Sequence, residues 1–318
     1  MLQETDTHRW KIEKRVSGDF VFKGLTVVFA FSILAILLLM VVEMHRESLP
    51  ALARFGWHFV TGRDWDAVQG SFGALPFIWG SVVSSVLALL LATPLSVGAA
   101  VFITEIAPKR LGGVVAALVE LLAAIPSVIY GLWGVLVMAP WLQKSVEPFL
   151  GDHFGFLPFF QGAPYGVSML AAVFILMIMV VPIITSITKE VLLAVPQSQK
   201  EAAIALGATR WEMIRVAVLP YGRSGILGAV ILGLGRAIGE TMAVTMVIGN
   251  TPQISLSLLA PAYTMPSVIA NEFAEASSKL HSAALMEVGL ILLVVTLIIN
   301  ALARLLLWGV TRQGGGKA

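Results

Sequence analysis

The stretch Ser198 to Pro220, SQKEAAIALGATRWEMIRVAVLP, reads as helix, glycine corner, helix. Ser198-x-x-Glu201 has capping-box spacing, in which a hydroxyl and a carboxylate each satisfy a backbone donor left open at a helix start. Thr209-x-x-Glu212 repeats it. Gly207 suits the left-handed residue that closes the first helix, and Pro220 is expected to stop the second. On that second helix, Arg210 to Val218, Glu212 and Arg215 share a narrow polar arc while Trp211, Met213, Ile214, Ala217 and Val218 cover most of the remainder. Too apolar to stay in water, this helix either lies flat on lipid headgroups or docks onto another protein.

Around it the chain is lipid-soluble. Of its 318 residues 58% are apolar and 13% charged, with a mean hydropathy of +0.89, whereas soluble domains carry about 25% charged residues. Backbone groups in lipid must be satisfied within their own segment, so the expected fold is all-α and polytopic. Six stretches approach the roughly 20 helical residues a hydrocarbon core requires: Gly24 to Val42, Leu75 to Ile103, Leu111 to Ala139, Gly166 to Thr188, Gly222 to Ile248 and Ser282 to Trp308. The first follows a charged leader and outlasts a signal-peptide core, and Ala51-x-Ala53 lies too far downstream for cleavage, so it reads as a retained anchor. With no cysteine, disulfides, thiolate metal sites and cysteine nucleophiles are excluded. The net charge of +2 comes from basic residues spread over loops, which argues against nucleic acid as a partner.

Placing the N-terminus inside leaves only Arg46, Arg54, Arg63, Lys144 and Lys279 outside and Arg236 in the membrane. The other basic residues, from Arg9, Lys11 and Lys14 through Lys189 and Lys200 to Lys317, are then cytoplasmic, as the positive-inside rule asks. Both termini and the Ser198 to Pro220 segment are therefore expected in the cytoplasm. The expected organisation is a cytoplasmic tail over 1–23, a first transmembrane helix with an aromatic outer loop over 24–74, a core over 75–309 and a second tail over 310–318. The outer loops hold Phe55, Trp57, Phe59, Trp65 and Phe72, then Phe154, Phe156, Phe159, Phe160 and Tyr165. Such rings either anchor at the interface or, as a set, receive an external protein.

Three ionisable residues fall well inside the expected spans: Glu120, Arg236 and Glu240. Each costs about 3 kcal/mol near the bilayer centre on insertion scales, so such groups tend to be paired and functional. Arg236 and Glu240 stand one helical turn apart and can pair directly. Counting about 1.5 Å per residue along straight helices puts Glu120 roughly 14 Å, Arg236 roughly 20 Å and Glu240 roughly 27 Å deep, so that the carboxylates bracket the guanidinium. The cluster is either an ion network that fixes helix register or a gate that exposes the guanidinium to a passing anion. Gly225-x-x-x-Ala229-x-x-x-Gly233 and Gly235-x-x-x-Gly239 are stripes that allow close helix approach. Pro126 is expected to kink the third span, and Pro94 and Pro182 to bend the second and fourth.

Glu201-Ala202-Ala203, Gly207 and Leu219-Pro220 resemble the EAA loop of type I ABC-importer permeases, the segment through which a membrane subunit grips its ATPase. Gly235-Arg236-Ala237-Ile238-Gly239-Glu240-Thr241, Ala124-Ile125-Pro126-Ser127-Val128-Ile129-Tyr130-Gly131 and Phe72-Gly73-Ala74-Leu75-Pro76-Phe77 resemble signatures of phosphate-uptake permeases. The likeness runs from about Phe55 to Trp308, and the long first outer loop with Trp57 and Trp65 resembles the PstC-type subunit family. The resemblance implies six transmembrane helices in a type I ABC-importer permease fold, set in the bacterial inner membrane. It implies a heteromer with a second, PstA-type permease, two copies of a cytoplasmic PstB-type ATPase that binds ATP and magnesium, and an external PstS-type phosphate-binding protein. Arg236 and Glu240 carry over as pathway residues; Glu201, Ala202, Ala203, Gly207, Trp211, Ile214, Leu219 and Pro220 carry over as the ATPase-coupling segment. Glu120 joins the pathway on the depth argument alone.

Physics does not choose phosphate over sulfate or molybdate, since an arginine in the path serves any of these anions. A gradient-driven secondary transporter is the main rival, although no inverted repeat is evident. No His-Glu-x-x-His motif, Gly-x-Ser-x-Gly elbow or P-loop is present, so neither a membrane enzyme of those kinds nor ATP hydrolysis by this chain is expected. A passive scaffold would keep the docking segment and tolerate loss of Arg236.

Overall fold

Helix α1 (Arg15–Phe55) runs far beyond the expected Gly24 to Val42, because its C-terminal end carries Ala51 into a buried cluster with Ala283 and Ala284. The computed structural model to which it belongs describes residues 15–312, so Arg9, Lys11, Lys14, Lys317 and most of both expected tails lie outside the described residues. A short α2 (His58–Thr61) leads to a two-stranded antiparallel ribbon, β1 (Trp65–Asp66) and β2 (Ser71–Phe72), with Trp65 opposite Phe72. Next come α3 (Leu75–Val101), α4 (Lys109–Ala124) and a chain of three helices: α5 (Ser127–Trp133), α6 (Ala139–Trp141) and α7 (Glu147–Phe154). Helix α8 (Met169–Leu193) precedes the glycine-corner segment, which forms α9 (Gln197–Ala205) and α10 (Arg210–Met213). The rest is α11 (Leu219–Ile238), α12 (Met242–Val247), α13 (Met265–Glu272) and α14 (Lys279–Arg312). Among the described residues five helices are each long and apolar enough to cross a membrane; a sixth crossing is made if α4 and α5–α7 count as one span bent by 92°.

Proline explains where helices widen and where they break. It lacks the N–H that an α-helix needs and its ring crowds the carbonyl four residues earlier. Ala107-Pro108, Ala139-Pro140, Glu147-Pro148 and Leu219-Pro220 each follow a π turn: Phe102–Ile106, Gly134–Met138, Leu142–Val146 and Ile214–Val218. In each, the N–H before the proline reaches back five residues, as from Leu219 to the Ile214 carbonyl, so one wider turn absorbs the mismatch. Pro220 consequently does not stop the second docking helix. That helix continues from Arg210 to Ile238 as one candidate span. At Pro126 no such turn forms. Ile125 and Pro126 are extended, as the residue before a proline tends to be, and the expected mild kink becomes a right-angle break.

Helix α3 packs along α8, α11 covers α8 from another side, α12 meets α5, and α1 lies against α14. Ala88, Ala92, Ile175, Leu176, Ile184, Ala229, Val244 and Val247 form the main apolar core between them. The Gly225, Ala229, Gly233 stripe faces α8, and a Cβ at Gly233 would lie 2.8 Å from Val180 Cγ1. Gly235 is different: a Cβ there meets nothing within 4 Å. The closest backbone approach is at Gly80, where a Cβ would collide with the Tyr263 carbonyl oxygen. Gly80→Ala is therefore expected to destabilise the fold by about 1–3 kcal/mol, the range for overpacking, read as a lower unfolding temperature in detergent.

Most aromatics between Phe55 and Phe72 form a packed cap. Phe59 and Phe72 are buried, Trp65 meets Phe72 at 4.8 Å and Phe77 at 4.7 Å edge-on, and Phe72 stacks on His281 at 5.4 Å. Trp65 Nε1 donates to Glu272 Oε2 at 2.9 Å, and His281 Nε2 lies 3.0 Å from the same oxygen. Trp57 and Val68 point outward.

Candidate functional site

The glycine corner is built as expected from Gly207 onward. Gly207 has φ +89, open to glycine at no steric cost. Thr209 Oγ1 accepts the Glu212 N–H while Glu212 Oε2 accepts the Thr209 N–H at 2.8 Å, a complete capping box. The Ser198 box does not form. Pro196 takes the position before α9 with no side-chain cap, which moves the helix start and leaves Ser198 inside the first turn.

Around the corner the surface splits into two faces. Met213, Ile214 and Val218 are buried in a cluster with Ala100, Val101, Leu192 and Val195, so Ile214 anchors the segment to the bundle. Glu201, Ala202, Ile204, Leu206, Trp211 and Val216 face outward, with Leu206 90% and Trp211 61% exposed. Ala203 and Leu219 are half-buried on the same cluster, and Pro220 is exposed.

Helix α11 runs without interruption from this corner to the membrane charges. Arg236 Nη2 lies 3.3 Å from Glu240 Oε2, the pairing expected from their spacing. Its two ends differ: the Glu240 side chain is 4% exposed and the Arg236 side chain 48%. The pair spans a break, since α11 ends at Ile238 and α12 starts at Met242, so the expected stretch to Ile248 is not one helix. Gly239 closes α11, and Glu240 Oε1 accepts the Ala243 N–H of α12 at 3.3 Å. A buried carboxylate thus ties two helix ends together and holds a half-open guanidinium beside it, a cationic surface suited to an anion.

Glu120 stands elsewhere. Its Oε1 accepts from Lys189 Nζ at 3.0 Å, and Lys189 also reaches Glu190 at 3.3 Å. Among the described residues no ion pair joins Glu120 to Arg236. Glu120 lies on α4, ahead of the 92° turn at Pro126.

Other polar contacts had no local signature in the sequence. Lys200 Nζ pairs with Glu105 Oε1 at 2.6 Å across 95 positions of the chain. Glu147, buried at the start of α7, accepts the Gly166 N–H at 2.8 Å and the Ser168 hydroxyl at 2.9 Å. The only hint was for Glu105, which interrupts an apolar run just before Pro108.

Residues 92–311 match the family described as binding-protein-dependent transport system inner membrane component. The chain is 46% identical to the phosphate transport system permease protein PstC of Mesorhizobium japonicum, over 93% of this chain and 92% of that protein. It is 43% identical to the PstC of Xylella fastidiosa over 98% of each. In fold it resembles a permease chain of a bacterial alginate ABC transporter, at a TM-score of 0.61 and 18% identity over 92% of this chain and 96% of that one. A chain of the MetNI methionine ABC transporter gives 0.54 and 17% over 74% and 94%. The architecture is that of a type I ABC-importer permease, a multi-pass membrane subunit and not an enzyme.

Proposed function

Because this chain belongs to the binding-protein-dependent transport system inner membrane components, and within them to the PstC permeases, we propose that it carries inorganic phosphate inward as the C-type half of an ATP-driven importer. Kinship along nearly its whole length with phosphate permeases carries the choice of cargo. The half-open Arg236 beside a buried carboxylate supports a path for an anion.

In this reading Arg236 and Glu240 line the path, and α9, the Gly207 corner and α10 form the coupling segment. Glu201, Ala202, Leu206 and Trp211 face the ATPase, while Ala203, Ile214 and Leu219 seat the segment on the bundle and Pro220 carries it into α11. Glu120, held by Lys189, joins the path from α4. The companions are a PstA-type permease, two PstB-type ATPases that bind ATP and magnesium, and a PstS-type binding protein outside. Both termini and the coupling segment lie in the cytoplasm, the side rich in lysine and arginine. The loaded binding protein docks outside, ATP closes the ATPases, and the closure travels through α10 and α11 to the break at Gly239.

The test is reconstitution of the four components in liposomes with ATP inside. Radiolabelled phosphate is expected to enter only with ATP and the binding protein, at least about tenfold faster than sulfate or molybdate. Uptake driven by an ion gradient with the ATPase omitted would overturn the assignment. Faster sulfate or molybdate uptake would move the cargo while leaving the importer class intact.

A further inference from the structure

Within α9 only Lys200 and Ala203 are shielded from solvent even in part; the other residues face outward. Ala203 rests on the apolar cluster of Val101, Leu192, Val195 and Ile214. Lys200 reaches sideways instead, to Glu105 in the π turn that ends α3, with their side chains 13% and 6% exposed. Among the described residues this is the one polar side-chain contact from α9 to another element. The docking helix therefore hangs on the bundle by one apolar and one ionic attachment, three residues apart, on the same helical face.

The two attachments meet at the end of α3 and diverge from there. Ala203 belongs with the cluster that joins Ala100 and Val101 of α3 to α10 and the start of α11, the helix that carries Arg236. Glu105 lies two residues before the Ala107-Pro108 step, where α3 gives way to α4, and α4 in turn is tied to α8 through Glu120 and Lys189. A shielded ion pair adds little net stability, but neither charge can part from the other without being stranded in poor solvent, so the pair fixes geometry. We propose that Lys200–Glu105 is a positioning link that carries the movement of α9 into α3 and α4, so that both sides of the bundle shift when the ATPases close.

The proposal rests on the importer reading above, and the experiment keeps the two apart. The complete complex is reconstituted in liposomes, and phosphate entry and ATP hydrolysis are measured on the same preparation. Wild-type uptake tests the reading; the ratio of phosphate moved to ATP hydrolysed, variant against wild type, tests the link. Glu105→Gln keeps the shape and removes the charge. It is expected to keep ATP hydrolysis within twofold while the ratio falls at least fivefold. The exchanged pair Glu105→Lys with Lys200→Glu is expected to bring the ratio back to within twofold of wild type. An unchanged ratio in Glu105→Gln overturns the proposal, and so does an exchanged pair no better than the single variant. Failure of Glu105→Gln to assemble also overturns it, since the pair would then build the docking segment instead of transmitting through it.

Discussion

Arg236→Ala is expected to lower ATP-driven phosphate uptake about 100-fold. Glu240 is buried and also holds the first turn of α12, so it cannot move to water when its cation is removed. A fully buried pair broken on one side costs about 3–5 kcal/mol; solvent at the half-open guanidinium lowers that, and about 2.7 kcal/mol corresponds to 100-fold in a rate. The single variant alone does not separate a path residue from a structural one. The double variant Arg236→Met with Glu240→Gln does, because it removes both charges while keeping the side-chain volumes and an acceptor for the Ala243 N–H. If the pair only fixes register, the double variant assembles and transports. If the guanidinium meets the anion, the double variant assembles with its companion and ATPase, measured by co-purification, and still takes up no phosphate.

The next largest effect is expected at the exposed apolar face of the coupling segment. Leu206 and Trp211 lie on either side of the Gly207 corner, directed away from the cluster that holds Met213 and Ile214. Large apolar side chains contribute about 1.5–3 kcal/mol each when buried, and tryptophan is among the residues that dominate interfaces. The combined change Leu206→Glu and Trp211→Glu is expected to weaken ATPase capture at least about 100-fold, corresponding to roughly 3 kcal/mol. The measurement is titration of the purified ATPase onto the permease pair in nanodiscs. Undiminished capture would return α10 to the alternative in which it lies on lipid headgroups.

What could be read from the sequence was local. The Thr209 and Glu212 box closes within three residues, Gly207 needs only its own φ, and Arg236 and Glu240 are set by one turn of helix. Pro126 was visible as a disruption, but its size was not: whether a proline bends, widens or breaks a helix depends on whether the turn before it can take an extra residue. The same ambiguity hid the continuation through Pro220, and the Lys189 partner of Glu120 lies 69 positions away along the chain. Ser198 carried a cap motif that lost to Pro196, two residues earlier. Glu105 with Lys200, and Glu147 with Gly166 and Ser168, are joined only after the chain has folded back on itself. The aromatic outer loop was legible as a group of rings and illegible as a cap, since partners such as Glu272 and His281 come from the far end of the chain.

The wide turn at Ile214–Val218 also sets clocking. Each residue of a regular α-helix advances by about 100°, so a turn holding one extra residue makes everything beyond it lag by about that angle. A helical wheel drawn straight from Thr209 to Ile238 would aim the Arg236 side chain about a quarter-circle away from its true bearing. Leu219-Pro220 therefore acts like the offset in a crankshaft: it leaves the rod unbroken and decides which way the far journal points.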